Sequence, residues 1–302
     1  MVAMAIDDGR PWTYEIVPQA TLSALQPSPD DGRYLAYVTD AALTIIDDNQ
    51  SVIASEPHGF SYVSSLDWHP SQAILATANS NRTVSLHHLN RDSVRSESFA
   101  IHDDAVNAAA FTTSSLLSAS DDATIRAVSL RDGTTQVLRR LQSAGVTVRV
   151  HENIILVAEL NGAVHLLDER TPQTSKTFQA PNPLIDADMA FPYVGVVTDH
   201  AIALYDLRRP AIPARIRKIA TPASAPPLQR IRFSPCDTRV FALAQADGVV
   251  VWDVEQEAPL GSFGQKVAPM GLAWHPTRLW CYSGDDFQIR RWAIRERLKL
   301  YC

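Results

Sequence analysis

Paired carboxylates, adjacent histidines, serines and a cysteine are the residues of this chain whose types and spacing could do chemistry. Asp121-Asp122 and Asp285-Asp286 each set two carboxylates side by side. Acid–base catalysis by such a pair needs oxygens that converge on one reacting atom. Neighbours on a turn point apart, and Asp is a favoured turn residue, so both pairs read as hairpin turns. His87-His88 would suggest a metal site. On a strand, however, successive side chains face opposite sides, which keeps the two imidazoles off a single ion. His69 and His275 each directly precede a proline and read as turn residues. Ser114-Ser115 lacks the Gly-x-Ser-x-Gly elbow of a nucleophile. No phosphate-binding glycine loop occurs in a chain with only 12 glycines. Cys281 lies in an apolar run and reads as an inert buried thiol. The expectation is therefore a protein with no catalytic residue, no metal ligand and no cofactor.

Composition narrows the class further. Of 302 residues, 46% are hydrophobic and 20% charged, which is the balance of a folded globular chain rather than a disordered one. The net charge of −6 argues against direct nucleic-acid binding, which draws on a basic stripe. Arg290, Arg291, Arg295, Arg297 and Lys299 form the one basic concentration, and it reads as a solvated last strand with a short basic tail over 295–302. Cys236, Cys281 and Cys302 form neither a CxxC nor a paired framework, pointing to a reducing compartment, cytosol or nucleus. The first twelve residues carry Asp7 and Asp8 and no long apolar run, so neither a signal peptide nor membrane insertion is expected.

The elements that carry these residues repeat. Short strands closing on a bulky residue recur at Ile46, His87, Val128, Leu167, Tyr205, Trp252 and Trp292, with spacings of 41, 41, 39, 38, 47 and 40. Each follows an apolar strand and a tight polar turn, such as Asn79-Ser80-Asn81-Arg82, Leu160-Asn161-Gly162 or Ala246-Asp247-Gly248. Further upstream a strand ends in an aromatic followed by Ser or His and Pro, as in Trp68-His69-Pro70, Phe233-Ser234-Pro235 and Trp274-His275-Pro276. A period near 40 built of several short strands is the signature of a WD40 propeller, and seven copies predict an all-β, seven-bladed one.

Residues 1–302 read as a single propeller, with blades over about 20–294. The segment 12–17 looks like a strand without a copy of its own, so it is predicted to close the seventh blade and join the two ends of the chain. Ala220–Pro227, rich in Ala and Pro, reads as a surface loop between the fifth and sixth blades. The third blade resembles the WD40 pattern in which His, Ser and Asp hydrogen-bond within a blade. By that resemblance His102, Ser118 and Asp122 are the members, with Val128 where the pattern's Trp would stand.

Three stretches carry a closer resemblance. They are Val157 to Gly162 running into Leu167-Asp168, Pro183 to Ala187 with Val194 to Val197 and Leu204 to Asp206, and Gly271 to Pro276 with Ser283 to Asp286 and Arg291-Trp292. In order and spacing they resemble the family of the thirty-seven-kilodalton nucleoporin, the small WD40 subunit of the Y-shaped outer-ring complex of the nuclear pore. That resemblance implies a non-enzymatic subunit at the nuclear envelope, monomeric within a hetero-complex. It implies docking onto the large propeller-plus-helical scaffold nucleoporin of the short arm, beside other subunits of the complex. Turn residues on one rim are the candidate contacts: Arg82, Asp121, Asn161, Asp199, His200 and Asp286. The competing readings are another WD40 module that grips a peptide, a histone or a targeting signal, and a propeller hydrolase or lactonase built around a central metal.

Overall fold

The structure is a computed structural model that describes residues 12–16, 20–57, 62–90, 93–171, 175–198, 201–208, 214–220, 228–256, 258–265 and 267–294. Among these residues twenty-eight strands form seven four-stranded antiparallel sheets. Six of the sheets are meanders of four consecutive strands, and the inner strands of all seven touch one another in a closed ring. These inner strands are Leu22–Pro27, Val63–Trp68, Val106–Phe111, Gly145–His151, Asp186–Ala190, Leu228–Phe233 and Gly271–Trp274. This is the seven-bladed WD40 propeller that the period predicts.

Alternation along the strands explains the packing. In the second strand of blade 2, Ile74, Ala76 and Ala78 face blade 3 while Leu75 faces blade 1. Both faces of such a strand are buried, so its sequence is almost continuously apolar instead of alternating. The apolar side chains gather into seven clusters, one at each blade–blade interface. The outermost strands have water on one side and are polar, as in Ser93–Ala100 with Ser, Arg and Glu exposed.

The seventh sheet is completed from the other end of the chain. Trp12–Glu15 pairs antiparallel with Gln288–Ala293, Trp12 opposite Arg291 and Glu15 opposite Gln288. The Ile16 amide extends the ladder to the Phe287 carbonyl at 2.9 Å. Val17 lies outside the described residues, as do 221–227 of the expected loop; Ala220 ends a strand, Ala214–Ala220. The 295–302 tail is likewise outside them, but Arg290 and Arg291 are placed. Arg290 pairs with Asp285 at 2.9 Å, and Arg291 stacks over Trp12 and Trp280 at 5.1 and 4.1 Å.

In this up-and-down order, the turns between second and third strands and the connections between blades lie on one rim. The turns between first and second strands lie on the opposite rim. Several of the former need left-handed backbone: Arg82 has φ 72°, Ala123 57° and Gly162 88°. At Gly162 a Cβ would stand 2.5 Å from the Ala180 carbonyl oxygen, so only glycine fits.

Candidate functional site

The blade-3 histidine network is built across three segments. His102 lies just before the inner strand, Ser118 in the second strand, and Asp122 in the turn that follows. His102 Nδ1 donates to Asp122 Oδ2 at 2.8 Å, and Ser118 Oγ stands 2.7 Å from Nε2. An ionised carboxylate only accepts, which puts the imidazole proton on Nδ1 and leaves Nε2 to accept from Ser118. Thr124 Oγ1 adds a bond to Asp122 Oδ1 at 2.6 Å. Burial works against the Asp122 charge, but hydrogen bonds from Thr124, the Asp103 amide and His102 outweigh it and hold its pKa at about 2. Burial lowers the pKa of His102 despite Asp122, keeping it neutral.

Blade 7 carries the complementary half of this network. Ser283, the register equivalent of Ser118, accepts from Trp292 Nε1 at 2.9 Å and from Gln265 Nε2 at 2.7 Å. Trp292 occupies the position that is Val128 in blade 3, while Gln265 stands where blade 3 has His102. The sequence reading missed Gln265 because glutamine replaces the histidine that marks the pattern. Blade 4 has a third arrangement that the sequence reading also missed: buried His165 joins Glu159 Oε1 at 2.7 Å and Thr177 at 2.8 Å, while Glu159 Oε2 accepts the Gln142 and Ser143 amides. The other residues considered for chemistry hold structure. His87 and His88 point to opposite sides, one to Thr77 and Ser96, the other to Glu97. His69 and His275 each accept two backbone amides on Nδ1 at 3.1 Å, which closes the turn before the second strand. Cys281 is fully buried, which pushes its thiol pKa up.

The rim candidates are not one cluster. Arg82, Asp121, Asn161 and Asp286 occupy the second-to-third-strand turns of blades 2, 3, 4 and 7, whereas Asp199 and His200 lie outside the described residues. Arg82 is exposed, and Asp121 accepts from Asn107 at 2.7 Å. Asn161 is engaged by its own turn: Oδ1 accepts the Ala163 amide and its amide reaches Ser143. Asp286 has one carboxylate oxygen buried without a partner. The same rim exposes three large apolar residues that the sequence reading does not count among the contacts: Tyr62 at 46%, Leu160 at 46% and Phe287 at 44%. Leu160 and Phe287 sit in otherwise polar turns, and that anomaly was the available signal.

The inner strands line a central channel with two tiers of side chains. Blades 2, 4, 5 and 6 contribute Ser65, Thr147, Asp186 and Arg230 to one tier and Asp67, Arg149, Asp188 and Arg232 to the other. Blades 1, 3 and 7 contribute Ala24, Gln26, Ala108, Ala110, Gly271 and Ala273. Every charge is thus on four of the seven blades. Several of these groups bridge neighbouring blades. Asp67 accepts the Phe111 amide at 2.8 Å, Asp186 the Ile231 amide at 3.0 Å and Asp188 the Phe233 amide at 2.7 Å. They satisfy inner-edge N–H groups that have no strand partner. Arg232 pairs with Asp186 at 2.6 Å. Burial drives the Asp67 pKa up to about 6 and raises that of Asp188.

Comparison with known proteins agrees with this architecture. Residues 49–88 match the WD domain, G-beta repeat family. Over 194 residues, 60% of the chain, the sequence is 29% identical to nucleoporin Nup37 of Drosophila melanogaster, a match spanning 58% of that protein. Over 115 residues, 36% of the chain, it is 28% identical to protein DSE1 of Debaryomyces hansenii, across 17% of that protein's length. The similarity to that nucleoporin thus extends over more than half of the chain.

Proposed function

We propose that this chain, a WD40 propeller similar to nucleoporin Nup37, is a non-enzymatic scaffold subunit of the Y-shaped complex of the nuclear pore. The observation that carries the reading is the 194-residue match to a nucleoporin. In this reading the chain sits at the nuclear envelope and docks onto the large propeller-plus-helical scaffold nucleoporin of the short arm. It thereby supports pore assembly and transport between nucleus and cytoplasm. The contact is made by the rim that carries Arg82, Asp121, Asn161 and Asp286, with Tyr62, Leu160 and Phe287 as its apolar anchors. Large side chains exposed on a polar rim gain most from being covered, and aromatic residues concentrate binding energy.

Affinity purification from native extract, with bound proteins identified and quantified by mass spectrometry, tests this reading. Large helical nucleoporins are expected in fixed ratio to the bait. The triple change Tyr62→Ser, Leu160→Ser and Phe287→Ser should abolish that recovery without changing the melting temperature by more than a few degrees. Recovery of histone-modifying or peroxisomal partners in their place would overturn the scaffold reading in favour of a peptide reader.

A further inference from the structure

The central channel holds more cationic donors than its own acceptors satisfy, and the shortfall is concentrated on blades 4 and 6. The hydroxyl of Thr147, a residue only 1% exposed, has no hydrogen-bond partner. Two residues further along the same strand, Arg149 Nε is buried and also without one. The carboxylates nearest Arg149 are Asp186 and Asp188 at 3.9 and 3.8 Å, beyond hydrogen-bond reach. Their other oxygens are committed elsewhere: Asp186 Oδ2 accepts from the Ile231 amide and Arg232, and Asp188 Oδ2 from the Phe233 amide. Arg230 has no carboxylate at ion-pair distance among the described residues; its Nη2 reaches the Ser23 carbonyl at 3.3 Å.

These three groups share one space. Cavities of about 250 and 570 Å³ open toward the two rims, and both are walled by Ser65, Arg149 and Arg230; Thr147 lines the larger. Either is many times the ~30 Å³ that a water molecule occupies in the liquid, so a polyatomic anion fits. Burying guanidinium groups without matched acceptors is costly. Burial and the neighbouring Arg232 charge lower the pKa of Arg149 to about 10 and also lower that of Arg230. An anion here would give an acceptor to every orphaned donor at once.

We propose that the channel binds an oxyanion, phosphate or carboxylate, held by the Thr147 hydroxyl and the Arg149 and Arg230 guanidiniums. Planar guanidiniums bind both oxyanions in bidentate fashion. Asp67, Asp186 and Asp188 line the same channel and limit the affinity, so binding is weak for a free ion. An acidic group delivered on a larger molecule would add to it. The proposal stands on the channel alone and is independent of the scaffold reading.

The test uses the purified chain with no partner. Inorganic phosphate and acetate are titrated separately at constant ionic strength maintained with sodium chloride, and binding is followed by calorimetry and thermal melting. Wild type is expected to bind at least one of the two saturably. Thr147→Val and Arg230→Gln should each weaken that binding by about tenfold or more. Thr147→Val removes only the orphan hydroxyl and keeps the volume, so it reports on the site even if Arg230→Gln fails to fold. Tighter phosphate binding identifies a free or ester phosphate as the ligand; tighter acetate binding identifies a carboxylate. No saturable binding of either ion, or equal binding by wild type and Thr147→Val, would overturn the proposal and leave water as the occupant.

Discussion

At the scale of single residues, buried histidines that must remain neutral dominate the response to pH. Asp122 anchors one of them, and its replacement by Ala leaves His102 Nδ1–H, the Thr124 hydroxyl and the Asp103 amide short of their acceptor. Loss of about 2–3 kcal/mol is expected in urea unfolding, the usual cost of stranding buried donors that served a charged acceptor. Burial depresses the pKa values of His69, His102, His165 and His275. Their unfolded values lie near 6.5, so the unfolded chain takes up protons that the native chain refuses. The stability this contributes is complete above about pH 6.5 and is lost as pH falls toward the depressed native values. Asp67, raised to about 6, and Asp188, also raised, act with the opposite sign but only between about pH 4 and their native values. Four histidines against two carboxylates, with the histidines titrating first, predict that the urea midpoint falls between pH 7.5 and 6. A midpoint that stays flat or rises over that interval would contradict the assignment.

At the scale of strands and blades, the close fit between neighbouring sheets sets which substitutions are tolerated. Gly195 lies in the second strand of blade 5, and a Cβ there would stand 2.4 Å from Ile231 Cδ1 and 3.0 Å from Phe233 Cε2, both in the core facing blade 6. Gly195→Ala should therefore cost about 1–3 kcal/mol by overpacking, against the usual gain of replacing glycine in a strand. The melting temperature of that single variant decides the sign. Blade number and strand order were legible in the sequence because the apolar strand and its turn recur along the chain, and three copies add the aromatic-His/Ser-Pro ending. The His102, Ser118 and Asp122 geometry was legible because those residues keep their types and spacing. Gln265 was hidden because an amide does there what an imidazole does in blade 3, and no spacing rule marks the exchange. The channel tiers were hidden for a different reason. Ser65, Asp67, Thr147, Arg149, Asp186, Asp188, Arg230 and Arg232 stand two apart along inner strands, and that alternation reads as ordinary strand polarity until the ring brings the strands face to face.

At the scale of the whole molecule, the ring is held by seven similar interfaces, so one closure decides whether it behaves as a single cooperative unit. Six blades are continuous in sequence, and the seventh takes its outer strand from residues 12–15, at the far end of the chain from 288–293. Arg291 lies over both Trp12 and Trp280, and Trp12 meets Tyr282 edge-on at 6.4 Å, so the junction combines a strand ladder with stacked side chains. Losing that strand would expose the edge of 288–293 and remove the link that makes opening any one interface strain the others. Trp12→Ala keeps the ladder and removes the aromatic contacts, and should cost about 1–2 kcal/mol, lowering the melting temperature by roughly 2–8 °C for a chain of this size. Deleting residues 1–16 removes both. It should lower the melting temperature further and broaden the transition, with amide exchange rising first along 280–293 and in the facing inner strand of blade 1. If exchange instead rises uniformly around the ring, closure is not the weak point, and the seven interfaces share the load of holding the propeller shut.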